Sequence, residues 1–151
     1  MIAAGLFDAH CPEENAIAIA NFALIVREAI KVVVSPVDGT PIRMRIGVHS
    51  GDVMSGVIGD LMPRWCLFGD TMNTTARLEA SCESGCIHAS IKLAKYLKKS
   101  SYFALKSRGL VSLKGRSDIY SYNLVSATPA NPHANQLMSD QIVEECRALI
   151  L

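Results

Sequence analysis

Asn73 and Arg77 lie four residues apart, as two side chains on one helix face do. On a helix that spacing sets a carboxamide and a guanidinium about one turn apart, pointing the same way. The pair can carry site chemistry or belong to a plain solvated surface. Three further residues raise the same question. Lys114 sits beside the flexible Gly115, a pairing suited to phosphate contact. Arg45 alternates with the apolar Met44 and Ile46, so its side chain points away from the core face of a strand. An exposed strand charge is the plainer account of either cation. Cys66 offers a thiol, a weak donor, although a small core residue is an equally ordinary role for cysteine.

The charge distribution favours an anionic ligand. Fifteen Lys and Arg against fourteen Asp and Glu leave a formal net charge of +1. Yet Ser84 to Ser117 holds eight basic residues and no acidic one, while ten of the fourteen acids precede it. Such a local field suits a polyanion. For Lys92, Lys95, Lys98 and Lys99 a solvated helix face is the simpler account. Five cysteines, an odd number in a chain with ample core material, read as reduced thiols. Cys82 and Cys86 form a C-x3-C pair with His88 close behind, but no second ligand pair lies near, so turn and core roles are expected.

The elements that must position these groups follow from pattern. The 151 residues, half of them apolar and 19% charged, supply one domain's core and exclude disorder or a globally basic nucleic-acid binder. No apolar run approaches the roughly 18 residues of a membrane helix. Met1–Leu6 reads as strand. Pro12 with Glu13 and Glu14 starts a helix reaching about residues 30–33, apolar nearly all round over 16–26 and so expected to be covered on more than one side. Residues 42–58 read as a hairpin turning at Ser50-Gly51-Asp52. Trp65–Phe68 is a strand, and Asp70 or Thr71 caps a helix to Ser81. Cys86–Ala89 is a strand and Ser90 opens a lysine-rich helix to about Lys98. Phe103–Leu105 and Gly109–Leu113 read as two strands, and Ile119–Val125 as another. Residues 126–138 read as a linker, rich in Pro and Asn, and 139–151 as a C-terminal amphipathic helix or tail.

The segments MRIGVHSGDVMSGVIG (44–59) and MPRWCLFGDTMNTTARLE (62–79), then GCIHAS (85–90) and RGLVSLKGR (108–116), are similar to the class III nucleotidyl cyclase catalytic domain, most of all the eukaryotic guanylyl cyclases. The resemblance covers about residues 1–125. It implies an α/β (α+β), ferredoxin-like fold. It also implies a dimeric enzyme that turns GTP into 3′,5′-cyclic GMP and pyrophosphate with two divalent ions, Mg or Mn. The matching Asn73 would position the ribose and Arg77 stabilise the transition-state phosphate. Cys66 would read the base, because guanine presents a carbonyl where adenine presents an amino group, and a carboxylate there would repel it. Arg45 and Lys114 would contact the triphosphate, with Arg116 a weaker candidate. His49 has no family role and reads as structural.

Two aspartate motifs of the family, which hold its metal ions, have no match here, and Asp8 lies too late to serve. In the family one subunit supplies those aspartates and the position of Arg45, and its partner supplies the positions of Cys66, Asn73, Arg77 and Lys114. The chain is therefore expected to be an N-terminally truncated fragment, inactive by itself, that a second cyclase domain could complement as a homodimer or heterodimer. The domain is expected in the cytoplasm, whether its parent is soluble or membrane-tethered, with no nucleic-acid partner and no membrane insertion by this segment. Alternatives are an adenylyl cyclase, a non-catalytic nucleotide-binding or dimerisation subunit, and a basic-patch binding module.

Overall fold

A computed structural model describes residues 1–6, 11–112 and 118–128. Helix α1 spans Pro12–Ala29 and tightens into a 3-10 turn at Ile30–Val32. Its start is as the sequence indicates: proline in the first turn, Glu13 and Glu14 at the positive end of the helix dipole, and Cys11 as N-cap, its sulfur accepting the Glu14 N–H at 3.4 Å. Strand β1 (Ile46–Val48) is followed by β2 (Met54–Ile58), β3 (Arg64–Phe68) and helix α2 (Asp70–Ala80). Then come β4 (Ile87–Ser90), helix α3 (Ile91–Ser100), β5 (Phe103–Val111) and β6 (Ile119–Ala127). Ser90 caps α3 by accepting the Leu93 N–H at 3.3 Å.

Four strands form a sheet in the order β1-β4-β6-β5, with β1 and β4 parallel and the other neighbours antiparallel. Side chains alternate across it. Ile46, Val48, Ile87 and Ala89 face one side and share a core with α1 and α3. Ala16, Ala20 and Ala23 recur at helical spacing and let α1 approach that face closely. The intervening residues face α2. Gly47 meets its backbone, and the His88 ring lies 3.0 Å from the Leu78 carbonyl oxygen. The sheet is thus layered between α1 and α3 on one side and α2 on the other.

Several expectations change. Residues 42–58 do not form a hairpin. β1 pairs with β4, some forty residues on, and β2 pairs with β3 in a separate two-stranded ribbon, Met54 opposite Phe68 and Ile58 opposite Arg64. Local alternation identifies a strand but not its partner. Residues 103–113 are not two strands: β5 is continuous through Val111, and its register shifts at Ala104/Leu105 and Ser107/Gly109 resemble a break in sequence. The N-cap of α2 is Gly69, at φ 127°, not Asp70 or Thr71. Met1–Leu6 forms no strand. Cover on several sides of α1 is not found among the described residues: Phe22 is 39% exposed, and the helix borders an apolar cavity of about 600 Å³ shared with residues 1–6 and β1. The expected helix at 139–151, most of the expected linker and Leu113 lie outside the described residues.

Two predictions follow from the α2 face. A Cβ on Gly47 would sit 2.3 Å from the Glu79 nitrogen and 2.6 Å from the Thr75 oxygen, both backbone atoms that cannot rotate away. Gly47→Ala should cost about 1–3 kcal/mol by overpacking, read as a lower urea midpoint at unchanged slope. An unaltered midpoint would mean that α2 is not seated on β1. His88 is fully buried, and burial holds its imidazole below the ordinary pKa of 6.5, with the nearby Arg108 acting in the same direction. The unfolded chain therefore takes up a proton that the folded chain refuses, so stability is lost as pH falls from 7 through the unfolded value. His88→Asn should flatten that dependence between pH 7 and 5.5; an unchanged slope would assign it to other groups.

Candidate functional site

The site is built on the β3-Gly69-α2 junction. Cys66 lies at the middle of β3, half-buried, directly opposite Gly56 of β2. A Cβ on Gly56 would meet nothing within 4 Å, so the ribbon face beside the thiol is open. Gly69 turns the chain at a positive φ that a larger residue adopts only with strain, and α2 follows at once. Thr71 Oγ1 donates to the Asp52 carbonyl at 2.7 Å, tying the first turn of α2 to the segment leading into β2.

Along α2 the side chains sort into three faces. Thr74 and Leu78 are buried against the sheet. Asn73 is exposed and Arg77 half-buried, and their spacing of four puts them on one free face. Thr71, Met72, Thr75 and Glu79 line the cavity beside β1. Arg45, just before β1, lines the same cavity, and its Nε lies 3.0 Å from Glu79 Oε1. At about 100° per residue, that face is nearly opposite the one bearing Asn73 and Arg77. Asn73 and Arg77 therefore share α2's free face, Cys66 lies on the strand that leads into the helix, and Arg45 stands across the helix from Asn73 and Arg77. Lys114 and Arg116 lie outside the described residues, as does Asp8.

The residues near the family's remaining roles are accounted for structurally. His49 Nδ1 is 2.7 Å from Ser90 Oγ, the hydroxyl that caps α3. Cys82 is buried, its thiol pushed above the ordinary pKa by burial, and its Sγ donates to the Cys86 carbonyl at 3.2 Å. Cys82 thus lacks the exposed setting of a reactive thiol. Among the described residues no three His, Cys, Asp or Glu side chains converge, so those present do not fit a two-ion centre. Glu79, which holds Arg45, was not a sequence candidate; 34 residues separate the two. Gly47 and Gly56 were also missed, although a glycine inside a strand pattern signals close approach or open space.

Residues 1–126 match the family model of the adenylate and guanylate cyclase catalytic domain. The chain is 42% identical over 113 residues to the rat guanylate cyclase soluble subunit beta-2, which spans 75% of this chain but 16% of that protein. It is 45% identical over 84 residues to atrial natriuretic peptide receptor 2 of the eel Anguilla japonica, 56% of this chain and 8% of the receptor. Among solved structures, the guanylate cyclase domain of RhGC from Catenaria anguillulae, crystallised with GTP, superposes with a TM-score of 0.72 at 35% identity, over 81% of this chain and 65% of that one. The chain thus spans a small part of the curated proteins it matches and about two thirds of a solved domain. With the family model running through nearly all of the described residues, the chain belongs to the adenylate and guanylate cyclase catalytic-domain family.

Proposed function

We propose that this chain supplies one half of a guanylyl cyclase active site. Paired with a second cyclase domain, it converts GTP to 3′,5′-cyclic GMP and pyrophosphate. The observation that carries the reading is the division of α2: Asn73 and Arg77 on its free face, Arg45 across the helix against Glu79. One chain cannot bring both sets to a single nucleotide, whereas two cyclase domains arranged head to tail would.

In the reaction the ribose 3′-oxygen attacks the α-phosphorus, and the bond to the bridging oxygen of pyrophosphate breaks. Asn73 orients the ribose so that attack is in line. Arg77 meets the charge that builds on the phosphate oxygens, and a fixed guanidinium needs no reorganisation as that charge develops. Cys66 donates weakly to the guanine carbonyl, in the space that Gly56 leaves open. Lys114, and the second domain's residue at the position matching Arg45, hold the triphosphate. The family's two divalent ions, Mg or Mn, would lower the pKa of the attacking hydroxyl and neutralise phosphate charge. Their carboxylate ligands would come from the second domain. The reaction belongs to the cytoplasm, where GTP is available; no described helix is long and apolar enough to cross a membrane.

The test is complementation. The partner is a complete guanylyl cyclase domain in which its own equivalent of Arg77 is alanine, so only the mixed site can turn over. The mixture should make cyclic GMP, and this chain alone should make none. Arg77→Ala in this chain should lower kcat by about 10²–10³-fold while its unfolding free energy from urea titration stays within about 0.5 kcal/mol of the parent. Normal turnover would remove Arg77 from the mechanism. Cys66→Asp should shift preference from GTP toward ATP by at least about tenfold, since a carboxylate accepts from the adenine amino group and repels the guanine carbonyl. Unchanged preference would take base selection away from Cys66.

A further inference from the structure

The last four carbonyls of a helix lack partners within it. In α2 these belong to the turn that carries Arg77, and groups from outside the helix take most of them. Leu78 O accepts from His88 Nδ1 at 3.0 Å and from Ser81 Oγ at 3.2 Å. Arg77 O accepts the Ser81 N–H at 3.0 Å, and Glu79 O the Cys82 N–H at 3.0 Å. Arg108 reaches over from β5. Its Nη1 donates to Ser81 O at 3.3 Å and its Nη2 to Glu83 Oε1 at 3.2 Å. The Arg108 side chain is only 19% exposed and its bond to Ser81 is part-buried, whereas Glu83 stands in solvent. The other end of α2 is tied by Thr71 Oγ1 to the Asp52 carbonyl, and its N-cap glycine adds no side-chain bond.

The backbone is shaped to make this reach. Ser107 pairs with Tyr122 and Gly109 with Ser121, which leaves Arg108 as the extra residue of a β-bulge. Gly109 takes φ +75°, with open space around its missing Cβ, so the glycine is there for the backbone angle and not for clearance. Bulges re-aim a side chain where regular alternation would misdirect it. Here the side chain re-aimed is a cation, and its target is the negative end of the helix.

We propose that Arg108 is a positioning residue: from its bulge it fixes the last turn of α2, and through that turn the guanidinium of Arg77. The proposal rests on Arg77 acting at the transition state. Rotating or sliding that turn moves Arg77 directly, because Ser81, whose carbonyl Arg108 holds, gives its own N–H to the Arg77 carbonyl at 3.0 Å. A displacement near 1 Å in a group aimed at the reacting phosphate costs up to about a hundredfold in rate.

Two measurements test it. Amide hydrogen exchange on this chain should quicken at residues 77–82 in Arg108→Met and stay unchanged in α1 and β4. In the complementation assay Arg108→Met should lower kcat between about ten- and a hundredfold at unchanged KM. Arg108→Lys, which keeps the charge but not the two-point fork, should recover part of the loss. The double variant Arg77→Ala/Arg108→Met should be no slower than Arg77→Ala alone, because a residue acting only through Arg77 has nothing left to position. Multiplying losses in the double variant, or exchange unchanged at 77–82, would overturn the proposal. So would normal turnover in Arg108→Met alongside a defective Arg77→Ala, which would leave the catalytic reading of Arg77 standing. Normal turnover in Arg77→Ala would overturn that reading, and the proposal with it.

Discussion

The contact between α2 and Gly47 of β1 is the constraint on which the rest of the site depends. The helix backbone lies so close to the strand that no side chain fits between them. That closeness fixes the height of α2 above the sheet. It also fixes the rotation of the helix, because Thr74 and Leu78 must turn into the layer beneath and are buried there. Once those two point inward, helical periodicity gives the others no choice. Asn73 and Arg77 turn to one side and Thr75 and Glu79 to the other. The separation of Asn73 and Arg77 from Arg45 is thus a consequence of packing, set before any substrate is considered.

Packing alone does not set position along the helix axis. A smooth apolar seat lets a helix slide by a fraction of a turn at small cost, whereas hydrogen bonds to terminal carbonyls are directional. The acceptors at the C-terminal end of α2 are met by donors from β4 and β5. His88 is fully buried and Arg108 mostly so. A buried donor without its acceptor loses more than the bond is worth when made, so these contacts resist exchange for looser ones. Sheet, bulge and helix terminus therefore act together, and the free face of α2 inherits their precision.

Local signals in the sequence carried much of this. Pro12 with two glutamates marked the start of α1, Ser90 marked α3, and the spacing of Asn73 and Arg77 foretold a shared face. Partnership was not legible. The alternation over residues 42–58 is equally good for a hairpin and for two strands in different sheets. What decides is that β1 can lie beside Ile87–Ala89 only if the ribbon and α2 intervene as a crossover, a long-range condition that a short window cannot contain. The bulge at Arg108-Gly109 misled for a related reason. A positive-φ glycine inside a strand looks like an end, and only the continued pairing with β6 shows that the strand goes on. The Arg45–Glu79 pair was hidden likewise, since it bridges two elements that the sequence keeps far apart.

That pair bears on how substrate could be engaged. Both side chains are close to half exposed, at 49% and 43%, and an ion pair in such a setting contributes about 0–1 kcal/mol. It is strong enough to orient Arg45 along the cavity wall and weak enough to yield. A triphosphate carries several charges and offers a planar guanidinium a bidentate partner. Exchanging one carboxylate for it therefore costs little and gains a denser anion. In the proposed pairing, the helix that presents Arg77 to one nucleotide would hold Arg45, through Glu79, for another. In a head-to-tail pair of domains, the two sites would share a structural member even though they share no residue.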